Sequence, residues 1–64
     1  MKVKYDKESD VVFNKLNDLP IEESDENKAG IILDYAEVSS IVAIEIFNAS
    51  KTLPHLNKLE YEVV

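Results

Sequence analysis

Ile41-Val42-Ala43-Ile44-Glu45-Ile46-Phe47 is the most apolar run of the chain, and its reading decides the fold. At a period of two, Val42, Ile44 and Ile46 make one face, and Ile41, Ala43, Glu45 and Phe47 the other. Helical periodicity also accommodates residues 36–49, but the β-branched Ile and Val side chains of 41–46 lose freedom in a helix and suit a pleated surface. Both faces are largely apolar, so this strand belongs at the centre of a sheet or under cover on both sides. Immediately upstream, Ile31–Tyr35 reads as a strand with Ile31, Leu33 and Tyr35 facing one way and Ile32 and Asp34 the other. The link between them, Ala36–Ser40, is a turn without Gly, Asn or Pro. Gly30, the only glycine, marks one backbone position that needs positive φ or close approach.

Further out, Ile21–Lys28 carries Glu22, Glu23, Asp25 and Glu26 nearly in succession. Charge this dense opposes a central position and predicts an edge strand or an exposed loop. Met1–Tyr5 alternates as a half-buried strand, and Asp6–Asp10 is a polar turn whose side chains can cap backbone N–H groups. Val11–Leu16 completes a hairpin, with Val12 and Leu16 on one face and Val11 and Phe13 on the other. A helix from Asp10 to the residue before Pro20 competes for that segment, since Val12, Phe13 and Leu16 also fit a helical stripe; β-branched and aromatic content favours the strand. Past Pro54, His55–Leu59 has room for one helical turn, and Leu59, Tyr61 and Val63 alternate as a last short strand. The chain thus reads as a single mainly-β domain over residues 1–64. It is a small antiparallel β-meander of four to six short strands with a short C-terminal segment at 54–64.

Composition narrows what such a domain can do. Sixty-four residues bury only roughly 60% of the surface of the unfolded chain, so the core is thin. With no Cys there is neither a disulfide nor a thiolate zinc site to support it, and a single His offers little to a transition metal. Self-association is the remaining support, and a homodimer is the expectation. Thirteen acidic residues against seven Lys and no Arg give a net charge of −6, which disfavours nucleic-acid binding and suits a basic protein partner. The charge sits almost wholly in residues 17–37. No apolar run is long enough for a membrane helix, and the opening residues carry no signal-peptide pattern, so a cytoplasmic location is expected.

Three stretches carry a resemblance to a known family. Val3-Lys4-Tyr5-Asp6-Lys7-Glu8-Ser9-Asp10 resembles the opening x-Y-D-x-E-A-D of the small bacterial family called domain of unknown function 2283. Gly30-Ile31-Ile32-Leu33-Asp34-Tyr35 is similar to its G-[VI]-I-L-D-Y, and Ile41–Ser50 to its x-V-G-I-E-I-L-x-A-S. The resemblance covers residues 1 to about 53 in matching order. The chain departs from it at Asn14, where the family has an apolar residue, and at Glu37-Val38-Ser39-Ser40, where it has an Asp-Gly or Gly-Asn turn. The tail also lacks the helical signature of many members. No activity travels with the family. Its members are often encoded beside small basic toxin-like proteins, which implies an antitoxin-like role for this chain.

The candidate sites follow from residue type. Glu22, Glu23, Asp25 and Glu26 are the candidate surface for a basic partner; they lack the alternating Asp/Asn spacing and mid-loop Gly of a Ca²⁺ loop. Asp34 and Glu45 sit inside apolar strands. If those strands pair about the 36–40 turn, the carboxylates become neighbours, a placement that can push one pKa upward and serve acid–base chemistry in a minimal enzyme. The alternative is a purely structural accessory subunit, in which both carboxylates face solvent or accept bonds from Lys or backbone. Phe13, Tyr35 and Phe47 are candidates for core or dimer interface. His55 lacks an orienting partner and Ser50 a Gly-rich elbow, so no catalytic residue and no cofactor is assigned.

Overall fold

The computed structural model describes residues 1–37 and 40–64. Five strands, β1 (Lys2–Asp6), β2 (Val11–Lys15), β3 (Glu23–Lys28), β4 (Ile31–Tyr35) and β5 (Ile41–Phe47), are followed by one helical turn, α1 (Ala49–Thr52). They form one antiparallel sheet in the order β1-β2-β5-β4-β3. The segment at 10–18 is therefore strand, as its β-branched content favoured, and β5 is central. The expected turn at 36–40 includes Val38 and Ser39, which lie outside the described residues; Ala36 N–H bonds Ser40 C=O across it at 2.9 Å.

The connectivity departs from a meander at one step. β5, not β3, lies beside β2, and the link after β2 crosses the end of the sheet to the far edge, as in a Greek key. A sequential order would place β3 in the middle of the sheet. All six residues of β3 are exposed and three are acidic, whereas β5 alone has two apolar faces. The crossing link is held to the sheet end by backbone bonds from Leu16 N–H to Val42 C=O (2.7 Å) and from Glu22 N–H to Tyr35 C=O (2.8 Å).

Pairing divides the side chains into two faces. Val3, Tyr5, Val12, Asn14, Val42, Ile44, Ile46, Ile31 and Leu33 share one, where Val12 and Val42 are buried. Lys4, Phe13, Glu45, Ile32 and Glu26 form a continuous row on the other, flanked by Lys2, Lys15, Ala43, Asp34 and Ser24. Asn14 stands among apolar residues, paired with Val3 and Ile44, and its Oδ1 is buried without a hydrogen-bond partner. Gly30 closes the β3–β4 hairpin at φ 81°. A Cβ there would meet nothing closer than 3.6 Å, so the backbone conformation and not crowding requires glycine.

One carboxylate ties both ends of this fold together. Asp10, at φ 58°, ends the β1–β2 turn. Its C=O accepts from Ala49 N–H (3.0 Å) and its Oδ1 from Ser50 N–H (2.9 Å), which satisfies two free donors at the start of α1. Oδ2 accepts from Ser50 Oγ (2.6 Å) and Oδ1 from Tyr5 Oη (2.7 Å). Asn48 holds the N-cap position of α1, where a side chain of its kind ordinarily caps the first turn. Instead Asn48 sits in the left-handed region with no side-chain cap bond, and the cap comes from Asp10. In the β1–β2 turn itself, Asp6 Oδ1 accepts from the N–H groups of Glu8 (3.0 Å) and Ser9 (3.4 Å).

Two expectations for the tail fail. The helical turn lies at 49–52, before Pro54, because that is where Asp10 supplies acceptors; His55 to Lys58 shows only a turn bond of 3.3 Å. Leu59, Tyr61 and Val63 form no strand and are 73%, 76% and 79% exposed. Alternation specifies a face but not a partner, and an unpaired strand has no ladder to hold it.

Two stability outcomes follow. Asp10→Ala removes every side-chain acceptor of the clamp and places Ala at positive φ, so the melting temperature falls by several degrees and the amides of 49–51 lose protection from hydrogen exchange. Asp10→Asn, which tolerates that φ, falls less. Asn14→Val removes a stranded buried acceptor and raises stability by about 1 kcal/mol, measured by urea unfolding.

Candidate functional site

The candidate residues fall into three places. Glu23, Asp25 and Glu26 lie on β3, an outer strand of the sheet, with Glu22 just before it. Alternation splits them: Glu26 pairs with Ile32 on the Phe13 face, while Glu23 and Asp25 point to the opposite side. Glu26 Oε2 also accepts from Gly30 N–H at 3.2 Å, closing its own hairpin. Tyr35 lines a shallow depression with Glu23, Ser24 and Asp25, apart from the two phenylalanines. Phe13 and Phe47 come together in an open groove of about 370 Å³ whose rim includes Lys4, Asp6 and Glu45. Among the described residues no three His, Cys, Asp or Glu side chains gather to hold a metal ion. No helix among them is long and apolar enough to cross a membrane. His55 is exposed in the tail, and Ser50 is engaged by Asp10.

Asp34 and Glu45 meet. In the register of β4 and β5, Asp34 is opposite Ala43 and Ile32 opposite Glu45, so the two carboxyls are diagonal neighbours on one face. Asp34 is only 1% exposed. Its Oδ1 accepts a short hydrogen bond from Ser24 Oγ (2.5 Å), and its Oδ2 is buried with no other donor beside it. Hydrogen bonding of a protonated Glu45 carboxyl to Asp34, the removal of Glu45 from water and the charge of Asp34 push the Glu45 pKa up to about 7 from 4.5. Glu45 therefore retains a proton up to near neutrality. Glu45 borders the groove, so this proton lies within reach of whatever occupies it.

Elsewhere the shifts mark structure. Hydrogen bonds from Ser50 and Tyr5 hold Asp10 below the usual carboxylate range, and the N–H groups of Glu8 and Ser9 do the same for Asp6. The bond to Asp10 raises the Tyr5 phenol. Sequence reasoning found the Asp34–Glu45 neighbourhood but missed Ser24 as its donor and Lys4 as a groove residue. The signal for both was positional: each lies on the face of Phe13, which becomes visible only once register is known.

The signs of these shifts set the pH profile. Between pH 4.5 and about 7 the folded chain keeps a proton at Glu45 that the unfolded chain has released, so stability falls as pH rises through that window. Asp6 and Asp10 act oppositely, and their contribution is lost as pH falls below 3.8. Glu45→Gln therefore flattens the melting temperature between about pH 5 and about pH 8 and leaves the variant the more stable protein at the upper end. Carboxyl-carbon NMR of the unmodified chain is expected to show Glu45 titrating near neutrality; a Glu45 titration close to 4.5 would overturn the account.

A family model described as protein of unknown function (DUF2283) matches residues 2–50. No curated protein matches the chain. No solved structure does either. The matched span holds all five strands, the Asp10 clamp with Ser50 and the Asp34–Glu45 pair, and on that coverage the chain belongs to the DUF2283 family.

Proposed function

We propose that this chain is a small protein-interaction module that presents an acidic sheet edge to a basic protein partner, in the manner of a neutralising antitoxin. One observation carries the reading: β3 is an outer strand whose every residue is exposed, and Glu22, Glu23, Asp25 and Glu26 stand along it with Lys28 the lone cation of the strand. Its outer N–H and C=O groups remain free to pair with an added strand, and carboxylates on both faces select for lysine or arginine on that strand. The rest of the fold serves to hold the edge out. β5 carries the apolar load at the centre, and the crossing link delivers β3 to the margin.

A second reading, acid–base chemistry, is favoured by the neutral-range proton of Glu45 beside Asp34. It is the weaker one, since Asp34 is buried behind Ser24 and only Glu45 borders the groove.

The test is retrieval from the source organism's lysate with the tagged chain and with a variant carrying Glu22→Gln, Glu23→Gln, Asp25→Asn and Glu26→Gln. A small basic protein is expected with the unmodified chain at low salt, lost at high salt, and absent with the variant. Equal recovery by both forms removes the acidic edge from the mechanism.

A further inference from the structure

We propose that the face opposite Val12 and Val42 is a self-complementary interface, on which a second copy of this chain docks face to face about a two-fold axis running along β5.

The first support is surface area. The chain exposes 5260 Å², whereas a compact chain of 7.3 kDa exposes about 4,200 Å². Part of that excess belongs to the extended tail, where Leu59, Tyr61, Val63 and Val64 are 73–110% exposed, and the open groove of Phe13 and Phe47 adds to it. The shape agrees. The whole chain, tail included, spans 33 × 31 × 19 Å, and its radius of gyration of 12.4 Å exceeds the about 11 Å expected for this length. On the groove side Phe47 is 36% exposed, and Phe13 is only half-buried.

The second support is the order of side chains across the sheet, which selects the occupant. The central row reads Lys4, Phe13, Glu45, Ile32, Glu26 from β1 to β3. A two-fold axis along β5 reverses that row and lays it on itself. Lys4 of one copy then stands over Glu26 of the other, Phe13 over Ile32, and Glu45 over Glu45. In the neighbouring row Ala43 and Asp34 are already buried within the chain, at 0% and 1% exposure, so contact with a second copy is confined to the central row and the groove of Phe13 and Phe47. Lys4 meets a carboxylate and Phe13 meets an apolar side chain, with Glu45 on the axis. A two-fold interface requires this self-matching, and aligned sheets pack in this way. A chain of net charge −6 repels its own copy elsewhere, so a face with alternating signs is where it can self-associate.

The one like-with-like contact is Glu45 on Glu45, which makes the dimer sensitive to pH. The charged groups sharing this face are Asp34 on β4, Lys15 on β2, Lys2, Lys4 and Asp6 on β1, and Glu26 on β3. The lysines lie on one side of β5 and serve the other copy's acidic side, so the pair of Glu45 carboxyls on the axis meets its partner best when protonated. Raising pH through about 7 ionises them and loosens the dimer.

Sedimentation equilibrium of the full chain tests this. A species of twice 7.3 kDa is expected below pH 7, with a dissociation constant at least about tenfold weaker one unit above it than one unit below. Glu45→Gln removes that pH dependence while keeping the dimer. Lys4→Glu weakens the dimer at least about tenfold, and adding Glu26→Lys restores it, a rescue that a folding defect would not show. A 7.3 kDa species at high micromolar concentration below pH 7 overturns the proposal. So does a dimer indifferent to both Lys4→Glu and Glu45→Gln, which would place the contact on an edge strand instead.

Discussion

The fold depends on the carboxylate of Asp10. A five-stranded sheet of this length has no second layer to bind its two ends together, and its hairpins alone are marginal. Asp10 supplies the missing link by sitting at the end of the β1–β2 turn and accepting from the first N–H groups of α1, from the Ser50 hydroxyl and from the Tyr5 phenol. The contact joins residues forty positions apart. It also explains a strained backbone: Asp adopts the left-handed region more readily than most residues, and here its side chain collects three bonds there. The stretches by which the chain resembles its family contain Tyr5, Asp10 and Ser50, so that part of the resemblance is structural.

Much of the sheet was legible because pleated alternation is local. Ile31–Tyr35 and Ile41–Phe47 came out with the boundaries that the structure shows, and the faces of β2 and β5 were read from parity alone. The meander was not a local inference, and it conflicted with two others already made. An acidic segment confined to an edge and a doubly apolar strand placed at the centre cannot both hold if strands follow in sequence order. The Greek-key step resolves that conflict. The tail failed for the converse reason, since Leu59, Tyr61 and Val63 have the pattern of a strand and no neighbour to pair with.

The candidate site was legible in the same uneven way. Asp34 and Glu45 were found as acids in apolar strands, and an antiparallel pairing was enough to bring them together. Their energetic character was not visible, because it rests on the 1% exposure of Asp34 and on Ser24, a residue from a third strand. Two carboxyls placed side by side cost stability when both ionise, and at Asn14 the opposite face leaves a buried acceptor unsatisfied. In a thin domain both features lower the stability of the single chain.

The alternation of β3 lets both proposed contacts coexist. Glu26 points to the face that matches a second copy, where Lys4 is its counterpart, whereas Glu23 and Asp25 point the other way and stay free. Docking by the face leaves the outer edge of β3 unpaired, and the two-fold axis puts the two acidic edges on opposite sides of the assembly. A dimer built this way is bivalent toward a basic strand. Bivalence raises avidity only if both sites can be engaged at once, which opposite edges permit for two partner molecules but not for one short one. With both proposed contacts in place, the stoichiometry is one basic partner per chain, the sheet face holding the copies together and the edge doing the binding.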